Sequence, residues 1–136
     1  MDKTKKFIYN SIQYYYINDN NEFYIGMKKC FTFFELVEEP NKKLKYLEDA
    51  YNIIKNIYEL SANSSEINYF IFILMWEYYI IHICPITFYS SMLKIHLFIR
   101  KDLLTKIQIK LLFQIKEAIK NILNESIKII TNEYEE

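Results

Sequence analysis

Five residues of this chain could carry chemistry by type: Glu77, His82, Cys84, His96 and Cys30. His82-Ile83-Cys84 with His96 and Cys30 is the one conceivable metal-ligand set, but it lacks the paired short spacings of a zinc site. Cys84 with His82 or His96 as a thiol–base pair is similarly weak, since Cys84 and His82, two apart on a helix, point away from each other. Glu77 stands alone in an apolar stretch, where a carboxylate must find a partner or hold a proton. The expected partner is a Lys, a Tyr hydroxyl or an imidazole across the core, since no second acid or base stands near it in sequence to make a catalytic pair. A single Gly, Gly26, excludes a glycine-rich phosphate loop, a dinucleotide fingerprint and a nucleophile elbow. The chain is therefore expected not to be an enzyme, and to need no cofactor and no metal.

The elements that would position these residues read as helices. Leu44, Leu47, Tyr51, Ile54 and Tyr58 recur at steps of three and four with polar residues on the other sides. Pro40 suits the start of that helix, where its missing N–H costs nothing. Ser61 to Glu66 supplies a stop, with Asn63 or Ser64 as the next N-cap. From Ile67 to Leu93 Glu77 is the one charged residue, and Tyr69 to Trp76 is apolar on every side, so a central helix over 66–83 must be surrounded by other helices or by lipid. Cys84-Pro85 ends it and opens a further helix to about Arg100, on which Met92, Leu93, His96, Leu97 and Arg100 share a face. The last element spans about Asp102 to Thr131. It is capped by Asp102, with Leu104, Ile107, Leu111, Ile115, Ala118, Ile122 and Ile129 on one side, and weak helix formers near Asn121–Ser126 invite a break. Two readings of the first forty residues stay open. One is a β-hairpin with arms Ile12–Ile17 and Phe23–Gly26; the other is two helices, the second presenting Phe23, Met27, Cys30, Phe31 and Phe34.

These elements fit within one domain over residues 1–136, of 16.7 kDa. The expected fold is an all-α, compact single-domain bundle of about five to seven helices around a hydrophobic central helix. Seventeen basic residues balance seventeen acidic ones, which argues against a nucleic-acid binder. No hydrophobic leader follows the basic start, so two free thiols in a reducing cytoplasm are expected. Aromatics reach 18% and include thirteen Tyr, read as amphipathic core filling.

A domain without catalytic machinery works by offering a surface to another protein. The acidic residues Glu35, Glu38, Glu39, Glu48, Asp49, Glu59 and Glu66 are the expected partner surface, apt for a basic cleft such as that of a nuclease. The leading expectation is a small cytoplasmic immunity or antitoxin protein that binds and neutralises a toxin or toxin domain. One alternative is a viral Bcl-2-like bundle that binds a partner helix in a groove. Cellular proteins of that kind carry an Asn-Trp-Gly-Arg signature, which Trp76-Glu77 does not replace. A second alternative inserts residues 67–93 in a membrane: ten Ile, Leu and Phe between Ile67 and Ile86 favour insertion, and Glu77 opposes it by about 3 kcal/mol.

Overall fold

The computed structural model describes residues 22–61 and 69–135, with side chains described over 22–59 and 70–128. These residues form an all-α helical bundle: α1 (Glu22–Leu36), α2 (Pro40–Ser61), α3 (Tyr69–Ile83), α4 (Thr87–Phe98), a 3₁₀ turn (Lys101–Leu103) and α5 (Lys106–Glu135). Among the described residues there is no strand, so the hairpin reading fails for its second arm, Phe23–Gly26, which lies in α1. Its first arm and the Asn63/Ser64 cap fall outside the described residues.

The helical stripes read from spacing become the core. Leu44, Leu47, Tyr51, Ile54 and Tyr58 of α2 are all buried, as are Met27, Cys30, Phe31 and Phe34 of α1. At Gly26 the two helices come close: a Cβ there would stand 3.0 Å from Ile53 Cδ1. Aromatic edges knit α1 to α3 and α4, with Phe31 set at 71° to Trp76 and at 89° to Phe88 (centroids 6.5 and 5.5 Å). Such T-shaped pairs add to what their buried area contributes.

Helix α3 is the centre. Phe72 and every residue from Leu74 to Ile80 are buried, including Glu77, which is fully shielded from solvent. Helix α5 packs along it. Two polar ties fix that pairing: Trp76 Nε1–H donates to Gln114 Oε1 at 3.0 Å, and Asn121 Nδ2 donates to Glu77 Oε2 at 3.4 Å. Glu77 thus accepts from an amide of α5. An amide can donate to the carboxylate without bringing a second charge into the core.

Three local expectations need correction. Asp102 does not cap α5: it lies in the 3₁₀ turn and pairs with Arg100 at 3.0 Å. The cap is Thr105, whose Oγ1 accepts from Gln108 N–H at 3.1 Å, while Gln108 Oε1 accepts from Thr105 N–H at 2.9 Å. This reciprocal box satisfies two donors at once. Helix α5 also passes through Asn121–Ser126 without a break, and α4 stops at Phe98, where Ile99 turns extended. At the α1–α2 corner Lys43 Nζ donates to Phe34 O at 2.7 Å and lies 4.6 Å above the Phe34 ring. It closes a C-terminal carbonyl of α1, although burial lowers its pKa.

Gln114→Leu removes the acceptor for a buried indole N–H that no longer meets water. It should cost about 1–3 kcal/mol in denaturant unfolding, and Trp76 emission should report it. A neutral result would show that the Trp76–Gln114 bond contributes nothing to the α3–α5 pairing.

Candidate functional site: an apolar groove between α4 and α5

Helix α4 leans on α1 and α2, whereas α5 lies mainly on α3 and also meets α2. The connection from Ile99 to Thr105 spreads α4 and α5 apart: Ile99, Arg100 and Leu104 are extended around the 3₁₀ turn. A groove of about 540 Å³ opens between the two helices. Its α4 wall is Tyr89, Met92, Leu93 and His96, at steps of three and four. Its α5 wall includes Ile109, Leu112, Phe113 and Ile119, and Leu104 closes one end.

Three of the apolar side chains here are open to solvent, Leu93 at 58%, Ile109 at 53% and Phe113 at 59% exposure, while Tyr89, Met92, Leu104, Leu112 and Ile119 are partly buried against the core. Leu97 and Phe98 extend the apolar surface at the end of α4. Contiguous apolar surface of this kind marks a binding site more often than a tolerated accident. Lys101, Lys116 and His96 are the polar members of the lining. From Thr87 to Lys120 the chain carries seven Lys or Arg against two acids, Asp102 and Glu117, and Asp102 is already held by Arg100. The groove is therefore a greasy trough with a positive rim. It can bury apolar side chains of a partner and attract acidic ones beside them.

The acidic residues expected to make a partner surface are dispersed. Glu35 is half-buried and accepts from Thr87 Oγ1 at 3.0 Å, tying α1 to α4. Glu38 and Glu39 sit on the α1–α2 link, where Glu39 meets Lys42 at 3.8 Å. Asp49 bears electrostatically on Cys30 of α1. Glu48 and Glu59 of α2 are about three turns apart on one side, with Lys55 between them. Glu66 falls outside the described residues. Cations thus interrupt the acidic set, and one member serves as an internal strut.

Both thiols and the Tyr78 phenol are held in their protonated, unreactive forms. Burial pushes the Cys30 thiol up to about 11, with Asp49 adding to it, and burial also raises Cys84, with Glu35 adding to it. Tyr78 is pushed up to about 12, again first by burial. His82 is exposed and lies against the Tyr78 ring at 4.4 Å. Among the described residues no three His, Cys, Asp or Glu converge, and no helix is long and apolar enough to cross a membrane.

Compared with known proteins, the chain matches no family model, no curated protein and no solved structure. Its site must be read from its own geometry. The α4 half of the groove was visible in sequence as the shared face of Met92, Leu93 and His96. The α5 half was not singled out, because Ile109, Leu112, Phe113 and Ile119 lie off the stripe assigned to the core.

The raised thiols and phenol have a consequence at alkaline pH. A group whose native pKa lies above its unfolded value keeps its proton in the fold, so its contribution holds below the unfolded pKa and drains away as pH rises through the native one. For Cys30 that window runs from 9.0 to about 11, and for Tyr78 from 10.0 to about 12. Lys43, lowered from 10.5 by burial, acts in the opposite sense. Urea midpoints should therefore fall on going from pH about 8 to about 10.5, less steeply in Cys30→Ala, and a disulfide reagent at pH about 8 should label neither thiol until urea is added. Rapid labelling of the native protein would contradict the burial assigned to Cys30 and Cys84.

Proposed function

We propose that the protein is a non-catalytic protein-binding module whose α4–α5 groove accepts an amphipathic helix of another protein, with acidic residues flanking that helix's apolar stripe. The observation that carries this reading is the pairing of solvent-open Leu93, Ile109 and Phe113 with Lys101 and Lys116 in one trough. A helix laid there buries residues at i, i+3, i+4 and i+7, the spacing the two walls themselves display. Its flanking carboxylates meet Lys101 and Lys116, which speeds encounter and fixes orientation.

Neutralising a toxin or toxin domain is the biological setting proposed for this module. Small size and the want of catalytic constellations support it, and capture of a helix in the toxin is the way the groove would achieve it. The acidic residues of α2 are the weaker surface for that role, because Lys42, Lys45 and Lys55 are interleaved among them. Binding a helix in a groove is also how Bcl-2-like bundles work, so BH3-type peptides belong in the first trial.

The test is fluorescence anisotropy with a labelled amphipathic peptide of about five turns, bearing Leu on one face and Glu on its flanks. Micromolar binding that weakens with salt is expected, and Phe113→Glu should weaken it at least about tenfold by placing a charge in the trough. A Lys-flanked peptide of the same apolar face should bind less well. Equal affinity for both peptides, or no binding of either, would overturn the reading.

A further inference from the structure

The C-terminal third of α5 extends the groove wall past the groove. All six residues from Leu123 to Lys128 are exposed, and the helix continues to Glu135. Ile127 stands eighteen positions after Ile109, five whole turns, and Leu123 seven after Lys116, close to two, so both continue the Ile109–Phe113–Lys116 stripe. Leu123 is 51% exposed and Ile127 60%. An apolar stripe on a helix calls for a covering surface.

Charge indicates which surface. Residues 123–136 carry four Glu (Glu125, Glu133, Glu135 and Glu136) and one Lys, at the helix end that favours cations. The trough between α4 and α5 has the opposite character: apolar walls with Lys101 and Lys116 among them. Length agrees as well. The α5 wall from Ile109 to Ile119 is about 15 Å long and the stretch from Leu123 to Glu135 about 18 Å. Within one molecule the two cannot meet, because wall and tail belong to one continuous helix and the tail runs straight away from the trough. The basic start of the chain, with Lys3, Lys5 and Lys6, has the wrong sign for the same trough.

We propose that the groove is occupied by a second copy of this chain: the α5 tail of each protomer, from Leu123 onward, lies in the α4–α5 trough of its partner, in a two-fold exchange that masks the helix-binding site. The contact is isologous, each copy giving one tail and one groove, so the pair closes without growing into a filament. The inference rests on the reading of the trough as a helix site and adds its regulation. An incoming partner helix must displace the tail, so self-association sets a threshold for binding.

Light scattering and sedimentation of the full chain test this, using a tail variant, L123N/I127N, and a groove variant, Phe113→Glu. Wild type should be a dimer that dissociates on dilution and at high salt. Each variant alone should be monomeric with unchanged helical circular dichroism, since all three positions are exposed; Leu123→Asn alone serves if the double variant folds poorly. Mixing the two variants should restore a weaker heterodimer, because one intact tail still meets one intact groove. A monomeric wild type at about 100 μM, a tail variant that dimerises as before, or a mixture that stays monomeric would each overturn the exchange. The acidic amphipathic peptide separates this from the groove reading: the tail variant should bind it about threefold more tightly than wild type at dimer-forming concentrations. Peptide binding with a monomeric wild type defeats the exchange alone, whereas exchange behaviour without peptide binding defeats the reading of the groove as a site for other proteins.

Discussion

The structure depends on the need of α3 to be covered on all sides. Its fifteen residues contain no polar stripe, and the one acid, Glu77, is buried with the rest. A helix of that kind gains nothing from water on any face, so its neighbours must each give it an apolar stripe. Helices α1 and α2 supply theirs as a pair, and α5 supplies the longest one. The bonds Trp76–Gln114 and Asn121–Glu77 then select one alignment of α5 on α3 from among the several that apolar contact alone allows.

That alignment leaves α5 with a surplus. Leu111, Ile115 and Ala118 are spent on the core, yet Ile109, Leu112, Phe113, Ile119 and Leu123 form a second apolar band. Helix α4 does not cover it, because the extended connection at Ile99–Arg100 and the 3₁₀ turn hold α4 away. The groove therefore arises from two requirements acting together: α5 is fixed by α3, and α4 is fixed by Phe88 and Ile95 against α1 and α2. Neither helix can slide to close the gap without exposing what it already buries.

The parts of this fold set by periodicity were legible in sequence. The α2 stripe from Leu44 to Tyr58, the α1 face of Met27, Cys30, Phe31 and Phe34, and the apolar-all-round α3 follow from residue spacing and burial alone. Less legible was whatever depends on a partner at a given height along a helix. Ile107 is in phase with Leu111 and Gln114 yet half-exposed, so no neighbour covers α5 at that level. Gln114 is polar and buried because Trp76 stands opposite, a pairing thirty-eight residues distant that no local pattern encodes. The N-cap was missed for a different reason. Asp102 and Thr105 are both good caps, and Gln108, three after Thr105, was the signal that distinguishes them. The acids from Glu35 to Glu59 were legible in sequence together with the lysines interleaved among them. In three dimensions Lys42 and Lys55 stand among them, and Glu35 is drawn inward by Thr87.

The second band of α5 bears on function because it runs against stability. Exposed Leu93, Phe113 and Leu123 add nothing to the fold in water and raise the risk of unwanted association. A polar residue at each position would serve the bundle as well, since none of the three contributes to the buried core. The apolar band is also continuous, from Ile109 to Ile127, and it passes from a walled trough to an exposed stretch of helix, beyond which the sequence carries Glu133, Glu135 and Glu136. A band that keeps its phase over about five turns, with lysines beside its walled part and three Glu following its end, has the complementarity that one helix needs to recognise another.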